Sequence, residues 1–170
     1  MFIIESNLNR EMKILLRSIK QKMGQVPPHF EMFASINPVR FKMFLEEITY
    51  VSNHLRINPD FFALLRFYVA SKNQFSYCIG FNHALLLAKG YSMEQLSRLE
   101  VSSENLPLDQ KHQSLFTEVI VALEEPSKFT VNTLDDLKEL GWSDADIFDA
   151  VDHGAFLFKF SKILRSYSKA

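Results

Sequence analysis

Cysteine is nearly absent from this sequence: Cys78 is the only one in 170 residues. A chain with one sulfur cannot close an internal disulfide, and a zinc site built on several cysteines is excluded by count. Any thiol redox cycle must therefore take its second thiol from another molecule. One unpaired cysteine is also typical of a reducing compartment, which predicts a cytoplasmic protein.

Long apolar runs and a marked excess of one charge are also absent. No stretch approaches the roughly 20 apolar residues that cross a bilayer as a helix, so no membrane-spanning segment is predicted. With a net charge of −1 the chain has no broad basic field, which disfavours binding to nucleic acid or to anionic membranes. Metal-ligand spacings of histidine and glycine-rich phosphate loops are missing as well, so we expect no metal and no cofactor.

Phenylalanine, in contrast, is abundant, with 16 copies. One interpretation is a phenylalanine-rich core. The other is that some of these rings cover a subunit interface, where aromatic residues are enriched.

Helical periodicity runs through nearly the whole sequence, and no convincing alternating strand is found. The pattern predicts an all-α fold of about seven to nine helices. We expect helices at residues 7–23, around 30–33, and at 41–51, 59–72, 76–90, 93–99, 108–125, 134–140 and from 143 onward.

Two helix junctions have similar sequences. Residues 90–96 and 141–147 both begin with a glycine that ends one helix, continue with an aromatic residue, and then have a serine that can cap the next helix. Repeated use of a common helix-turn-helix boundary explains the similarity, and so does an ancient duplication.

The last predicted helix has apolar residues on nearly every side. A helix that is hydrophobic all round is buried all round. In a domain of this size the pattern favours contact with a partner subunit over a central position. The residues concerned are Val151, Ala155, Phe156, Leu157, Phe158, Phe160, Ile163 and Leu164.

Cys78 lies near the predicted start of an apolar helix. If Ser76 is the N-cap, the thiol falls in the first helical turn, where the helix dipole lowers a thiol pKa. The apolar neighbours Phe75, Tyr77 and Phe81 act in the opposite sense, because desolvation raises a thiol pKa. The residues thus allow either a reactive thiol or a buried small hydrophobic side chain.

Two polar residues follow the cysteine. Asn82 comes four residues later on the same helix face and could hydrogen-bond a thiol or a ligand. His83 comes five residues later, rotated by about 140° from Cys78, so it has either a packing role or a role in the site. Farther along, Asp149 and His153 have the i, i+4 spacing of a surface ion pair.

Several segments together resemble the alkylhydroperoxidase AhpD-like/carboxymuconolactone decarboxylase family, in its peroxidase-related branch. They are residues 26–30, 70–82, 90–96 and 137–147, and the resemblance covers about residues 25–165. It implies a single AhpD-like domain over residues 1–170, built from helical hairpins, with the helix at 7–23 as an N-terminal addition. It also implies a homo-oligomer, either a trimer or a hexamer.

Active members of that family reduce hydroperoxides with a Cys-x-x-Cys-x-x-x-His motif and an acidic residue upstream, and a dithiol carrier returns the electrons. In this sequence the second motif cysteine falls on Cys78, whereas the first falls on Phe75. The motif histidine falls on Asn82, with His83 one place later, and the acid falls on Ala63. The motif is therefore degenerate.

The resemblance implies a thiol peroxidase-related, antioxidant function. Cys78 would reduce a hydroperoxide weakly, with His83 or Tyr77 assisting proton transfer. An external thiol or dithiol, or Cys78 of the partner subunit, would resolve the sulfenic acid. Phe75, Tyr77, Phe81 and Asn82 would line the binding pocket. The alternatives are an inactive family member that serves as a ligand-binding or structural oligomer, and a cysteine-based redox sensor.

Light scattering tests the expected assembly. We expect a mass that is a multiple of 19.7 kDa at micromolar concentration, because an all-round apolar last helix needs a partner. The mass of one chain would contradict this expectation.

Overall fold

The computed structural model describes residues 2–101 and 106–169, which are almost entirely helical. These residues form nine α-helices and one short 3₁₀ helix, which confirms the predicted all-α fold and the helix number. The α-helices are α1 Arg10–Met23, α2 Pro28–Ile36, α3 Pro38–Ser52, α4 Pro59–Lys72, α5 Ser76–Ala88, α6 Met93–Val101, α7 Gln110–Glu124, α8 Val131–Glu139 and α9 Asp144–Ser166. Within this part of the chain, none of the helices combines the length and the apolar character needed to cross a bilayer.

The chain divides into two compact units. The first consists of the described parts of Met1–Tyr50 and Ile163–Ala170, and the second is Val51–Lys162. In the first unit, rings of α2 and α3 pack together, with Phe30 edge-on to Phe41 and Phe44 at centroid distances of 5.6 and 5.5 Å. The predicted polar segment that follows α6 falls partly on residues 102–105, outside the described residues.

Helix α4 is the most deeply buried helix of the second unit. Asn58 caps it by accepting a hydrogen bond from the Asp60 amide (2.9 Å), and Pro59 occupies the first helical position, where the predicted helix 59–72 begins. Its three phenylalanines are buried, which supports the interpretation that the many phenylalanines of this chain form its core. The buried residues of α4 are Phe61, Phe62, Ala63, Leu64, Leu65, Phe67, Tyr68, Val69 and Ala70.

Helix α9 differs from its prediction, because it is not buried all round within the chain. Leu157 is buried, whereas Phe148 is 68% exposed and Phe156, Phe158 and Phe160 are half-buried. Helix α9 therefore has one face buried in the chain's own core and another face that is partly exposed. Association of these exposed groups with a partner subunit stays a prediction.

The N-cap of helix α5 lies one residue earlier than predicted. Phe75, not Ser76, is the N-cap, with φ −104° and ψ 99°, and no side chain caps the helix. The preceding Gln74 has φ 49°, and this left-handed residue turns the chain from α4 into α5. Ser76 is consequently the first residue of α5, and Cys78 is the third.

The two similar junctions have the same geometry. Gly90 and Gly141 are left-handed, with φ values of 97° and 84°. The amide of each following aromatic residue, Tyr91 or Trp142, donates to the carbonyl five residues earlier at 3.1 Å. Both junctions are thus Schellman motifs, a geometry that any sequence ending a helix in glycine can adopt. Repeated boundary chemistry is sufficient to explain the similarity.

Asp146 holds the start of α9 against the loop before α4. Its carboxylate accepts hydrogen bonds from the Ser143 amide (2.8 Å) and hydroxyl (2.7 Å) and pairs with Arg56 Nε at 2.8 Å. Burial by itself would raise the pKa of this carboxyl. The Ser143 hydrogen bonds and the charges of Arg56 and His54 more than offset burial, so the pKa lies below its usual 3.8.

Replacing Asp146 tests this anchor. We expect Asp146→Ala to lower the free energy of unfolding at pH 7 by about 1–3 kcal/mol, because the variant loses the hydrogen bonds and the ion pair that the buried Asp146 carboxylate makes with Ser143 and Arg56. Asp144→Ala is the matched control, since Asp144 lies in the same helical turn but is exposed.

The pH dependence of the same measurement gives a second readout. A carboxyl whose folded-state pKa is depressed stabilises the protein above its unfolded pKa, and this contribution is lost as the pH falls through the folded pKa. The difference between wild type and Asp146→Ala in urea unfolding should therefore shrink below about pH 3.8. A difference that is constant from pH 7 to pH 2 would contradict the assigned role.

Candidate thiol site

Cys78 is held in the first turn of α5, with its side chain turned into the protein. The thiol residue is only 8% exposed. Burial raises its pKa to about 11, and a contact with the Ser161 hydroxyl lowers the pKa only in part. At pH 7 only about one molecule in 10⁴ therefore carries the reactive thiolate.

The Ser161 hydroxyl contacts the thiol, and sequence reasoning missed this residue. It lies on α9, is 5% exposed, and its Oγ has no hydrogen bond of ordinary geometry within the described part of the chain. Its contact with Cys78 is therefore weaker than a well-formed hydrogen bond. No spacing pattern connects a serine in an apolar helix with a cysteine four helices earlier in the chain.

Asn82 shares the face of Cys78, as its spacing predicts, but its amide serves the helix backbone. Nδ2 donates to the Cys78 carbonyl at 2.9 Å in a buried hydrogen bond. This bond fixes the Asn82 side chain along α5, which leaves its Oδ1 as the group that could contact a ligand.

His83 points to a different helix from Cys78. Its half-buried ring packs against Phe67 of α4, with the ring centroids 5.9 Å apart. The Cys78 side chain faces Ser161 of α9 instead. The rotation of about 140° between positions 78 and 83 thus separates the two side chains, and in residues 2–101 and 106–169 no hydrogen bond links them.

The three predicted aromatic lining residues form a row at the start of α5. Phe75 is buried, and the Tyr77 ring lies 6.0 Å from it. Tyr77 and Phe81, one helical turn apart, stack at 6.3 Å with an interplanar angle of 11°. The position that the family motif gives to its first cysteine is thus filled by a packed ring.

His153 does not lie on the surface, where the sequence predicted an ion pair with Asp149. The residue is fully buried, with its ring edge-on to Phe62 at 5.3 Å and stacked on Phe156 at 5.6 Å. The Asp149 carboxylate lies 3.4 Å from His54 Nε2. The surface location was wrong because the i, i+4 spacing reports which helix face two residues share, not whether that face is solvated.

Arg66 is a second residue that the sequence did not single out. It lies on α4, is half-buried, and has its guanidinium pKa lowered to about 10 by burial. As for metal binding, no group of three or more histidine, cysteine or acidic side chains suited to an ion occurs in the described residues.

Comparison with solved structures identifies the fold. A peroxidase-related protein from Silicibacter sp. TM1040 superposes with a TM-score of 0.85 at 15% identity, over 99% of this chain and 91% of that one. The alkylhydroperoxidase AhpD core of a peroxidase-related protein from Ralstonia eutropha JMP134 gives 0.79 at 16% identity, over 94% and 84%. The chain has the AhpD-like fold.

A third structure agrees with this result. A protein of unknown function from Agrobacterium tumefaciens, named as a candidate AhpD antioxidant-defence protein, gives a TM-score of 0.63 at 15% identity, over 79% of this chain and 92% of that one. No family model and no curated protein matches the sequence. At these identities the shared property is the AhpD-like fold, and the thiol site must be judged on its own geometry.

Alkylation kinetics test the state of Cys78. We expect the rate of labelling by iodoacetamide in the folded protein to rise about tenfold per pH unit from pH 7 to pH 10 without a plateau, because the thiolate fraction is still growing. Intact mass spectrometry measures the extent of labelling.

The unfolded protein in guanidinium chloride provides the control: its rate of labelling should reach half of its maximum at about pH 8.5. Ser161→Ala removes the contact that lowers the pKa, so this variant should react more slowly than wild type at each pH. A plateau below pH 9 in the folded protein would show an activated thiol and contradict the burial argument.

Proposed function

We propose that this protein is an AhpD-like scaffold without a working two-thiol peroxidase centre, and that it acts as a binding or structural oligomer. The observation that carries this proposal is the burial of Cys78, which raises the pKa of its thiol, together with a buried phenylalanine, Phe75, at the position three residues earlier. A cytoplasmic location and a trimeric or hexameric assembly complete the proposal, both from the resemblance and composition.

Each chemical requirement of hydroperoxide reduction supports this assignment. The attacking sulfur must be a thiolate, yet the Cys78 thiol is protonated at neutral pH. The leaving alkoxide needs a proton donor, and the His83 ring lies against Phe67 instead. A second thiol must resolve the product, and the motif position three residues before Cys78 holds Phe75, which has no sulfur.

A slow one-thiol peroxidase is the second candidate, and the Ser161 contact favours it. The hydroxyl and the free amides of the first turn of α5 would stabilise a thiolate at Cys78. The thiolate would attack the distal peroxide oxygen, break the O–O bond and become a sulfenic acid, while the alkoxide takes a proton and leaves as an alcohol. Two equivalents of an external thiol would then restore the cysteine, releasing water and a disulfide.

Peroxide turnover separates the two candidates. We expect wild type and Cys78→Ser to consume cumene hydroperoxide at the same background rate, with dithiothreitol as the reductant at pH 7, because the thiolate is scarce and His83 packs against Phe67 instead of Cys78. The measurement is loss of hydroperoxide over many equivalents per chain.

Each other outcome has a distinct meaning. Turnover by wild type that disappears in Cys78→Ser would replace the first candidate with the second, and it should then increase steeply with pH. A single equivalent consumed, with a change of assembly in size-exclusion chromatography, would indicate a cysteine-based redox sensor. Turnover that persists in Cys78→Ser would place the chemistry elsewhere in the chain.

A further inference from the structure

Helix α3 has an apolar stripe that the chain leaves exposed. Val39 is 67% exposed, Met43 is 52% exposed and Tyr50 is 57% exposed. These three residues have the heptad spacing of a coiled-coil seam, so they form one line along the helix. Glu46 occupies the remaining position of this line and is also exposed. We call these four residues the outer stripe of α3.

The outer stripe lies opposite the face by which α3 packs in its own unit. Phe41 and Phe44 are buried, and their rings both contact Phe30 of α2. At about 100° per residue, these two phenylalanines lie about 130–170° round the helix from the middle of the stripe. A helix with apolar residues on two opposite faces suits two packing partners, and within residues 2–101 and 106–169 the outer stripe remains exposed.

A groove extends this apolar surface on one side of α3. Between α1 and α3 lies an open groove of about 470 Å³, lined by Ile14, Leu15, Leu45 and Glu46 among others. Ile14 is itself 57% exposed. The exposed apolar surface of the first unit therefore continues from the outer stripe onto α1, and surface of this kind is typical of a protein–protein contact.

The outer stripe has the symmetry that pairing with a second copy requires. Val39 and Tyr50 lie equally far along the chain from the point between positions 44 and 45, and Met43 and Glu46 do so too. In an antiparallel pair of α3 helices centred on this point, Val39 faces the partner subunit's Tyr50. Met43 faces the partner subunit's Glu46. The stripe is therefore self-complementary in position, as a two-fold contact must be.

The charges of α3 are complementary in the same arrangement. The first half of the helix carries Arg40 and Lys42, whereas the second half carries Glu46 and Glu47. Arg40 lies in the first turn, where the helix dipole disfavours a cation, so this order does not stabilise the helix by itself. Antiparallel pairing sets the basic half of each copy against the acidic half of the other. Parallel pairing would set like charges against each other.

The flanks of the stripe determine which charges meet. Arg40 and Glu47 lie within about 20° of each other on one flank, and Lys42 and Glu46 lie within about 40° on the other. A two-fold axis brings equal flanks together, so Arg40 faces the partner subunit's Glu47, with an offset of about 3 Å along the helix. Lys42, which pairs with Glu11 of its own chain, also faces the partner subunit's Glu46. Its three donors can serve both carboxylates.

We infer that the outer stripe of α3 is a two-fold contact between copies of this chain, in which the two α3 helices are antiparallel. The inference rests on the oligomer of the proposed function and names one of its interfaces. A two-fold axis is absent from a cyclic trimer but present in a hexamer made of two trimers. Of the two assemblies that the resemblance implies, the hexamer is therefore expected.

The mass in solution and a matched pair of variants test this contact. By sedimentation velocity we expect wild type to be a hexamer at micromolar concentration. Val39→Asp should fall to half that mass or need at least about tenfold more protein to stay assembled. An aspartate near a helix start is favourable, so a loss of helix would not explain this result. Val131→Asp is the control, because Val131 is 70% exposed at the start of α8, and it should assemble as wild type does.

Charge reversal tests the antiparallel arrangement. Arg40→Glu and Glu47→Arg should each weaken the assembly at least about tenfold, because each sets like charges against each other across the axis. An equimolar mixture of the two variants should recover the wild-type mass, since a mixed pair has opposite charges at both places. Neither chain of the mixture carries both substitutions, so this recovery would come from a contact between chains.

Other results would overturn the inference. A wild-type trimer, or a mass that neither Val39→Asp nor the two charge reversals change, would refute the contact through α3 and leave the oligomer of the proposed function in place. A wild type with the mass of one chain would refute both. If the reversals dissociate the assembly but their mixture does not recover it, the antiparallel arrangement is wrong. The peroxide assay does not depend on this contact.

Discussion

Removal of helix α4 from water is the constraint on which the second unit depends. Nine of its 14 residues are buried, and each large side chain contributes roughly 1.5–3 kcal/mol when fully buried. Because neighbours surround the helix, its rotation and depth set the positions of α5, α7 and α9. A polar group on these inner faces is out of reach of water, so it is costly unless another group of the protein hydrogen-bonds to it.

The same exclusion of water links the fold to its chemistry. It keeps the Cys78 thiol protonated, although the first turn of a helix would otherwise favour the thiolate. Burial also lowers the pKa of the half-buried Arg66 guanidinium, to about 10.

Local signals in the sequence predicted most helix ends. Contacts between helices that are distant in the sequence could not be predicted from it. Asn58 before a proline and the glycines at 90 and 141 mark real helix boundaries, because capping depends on a few neighbouring residues. The cap of α5 was misplaced by one residue, since Phe75 takes the position by packing and not by hydrogen bonding. Ser161 escaped notice for a different reason: its importance comes from contact with Cys78, which no short-range pattern encodes.

The buried ring at the N-cap of α5 also limits how this chain could change. Cysteine is one nucleotide substitution away from phenylalanine in the genetic code, so a second sulfur at position 75 is easily reached by mutation. Exchange of a buried aromatic ring for such a small group, however, opens a void that costs up to about 3–5 kcal/mol, a large share of the stability of a typical domain. A second cysteine at position 75 would therefore be tolerated only if larger neighbouring side chains filled the void at the same time.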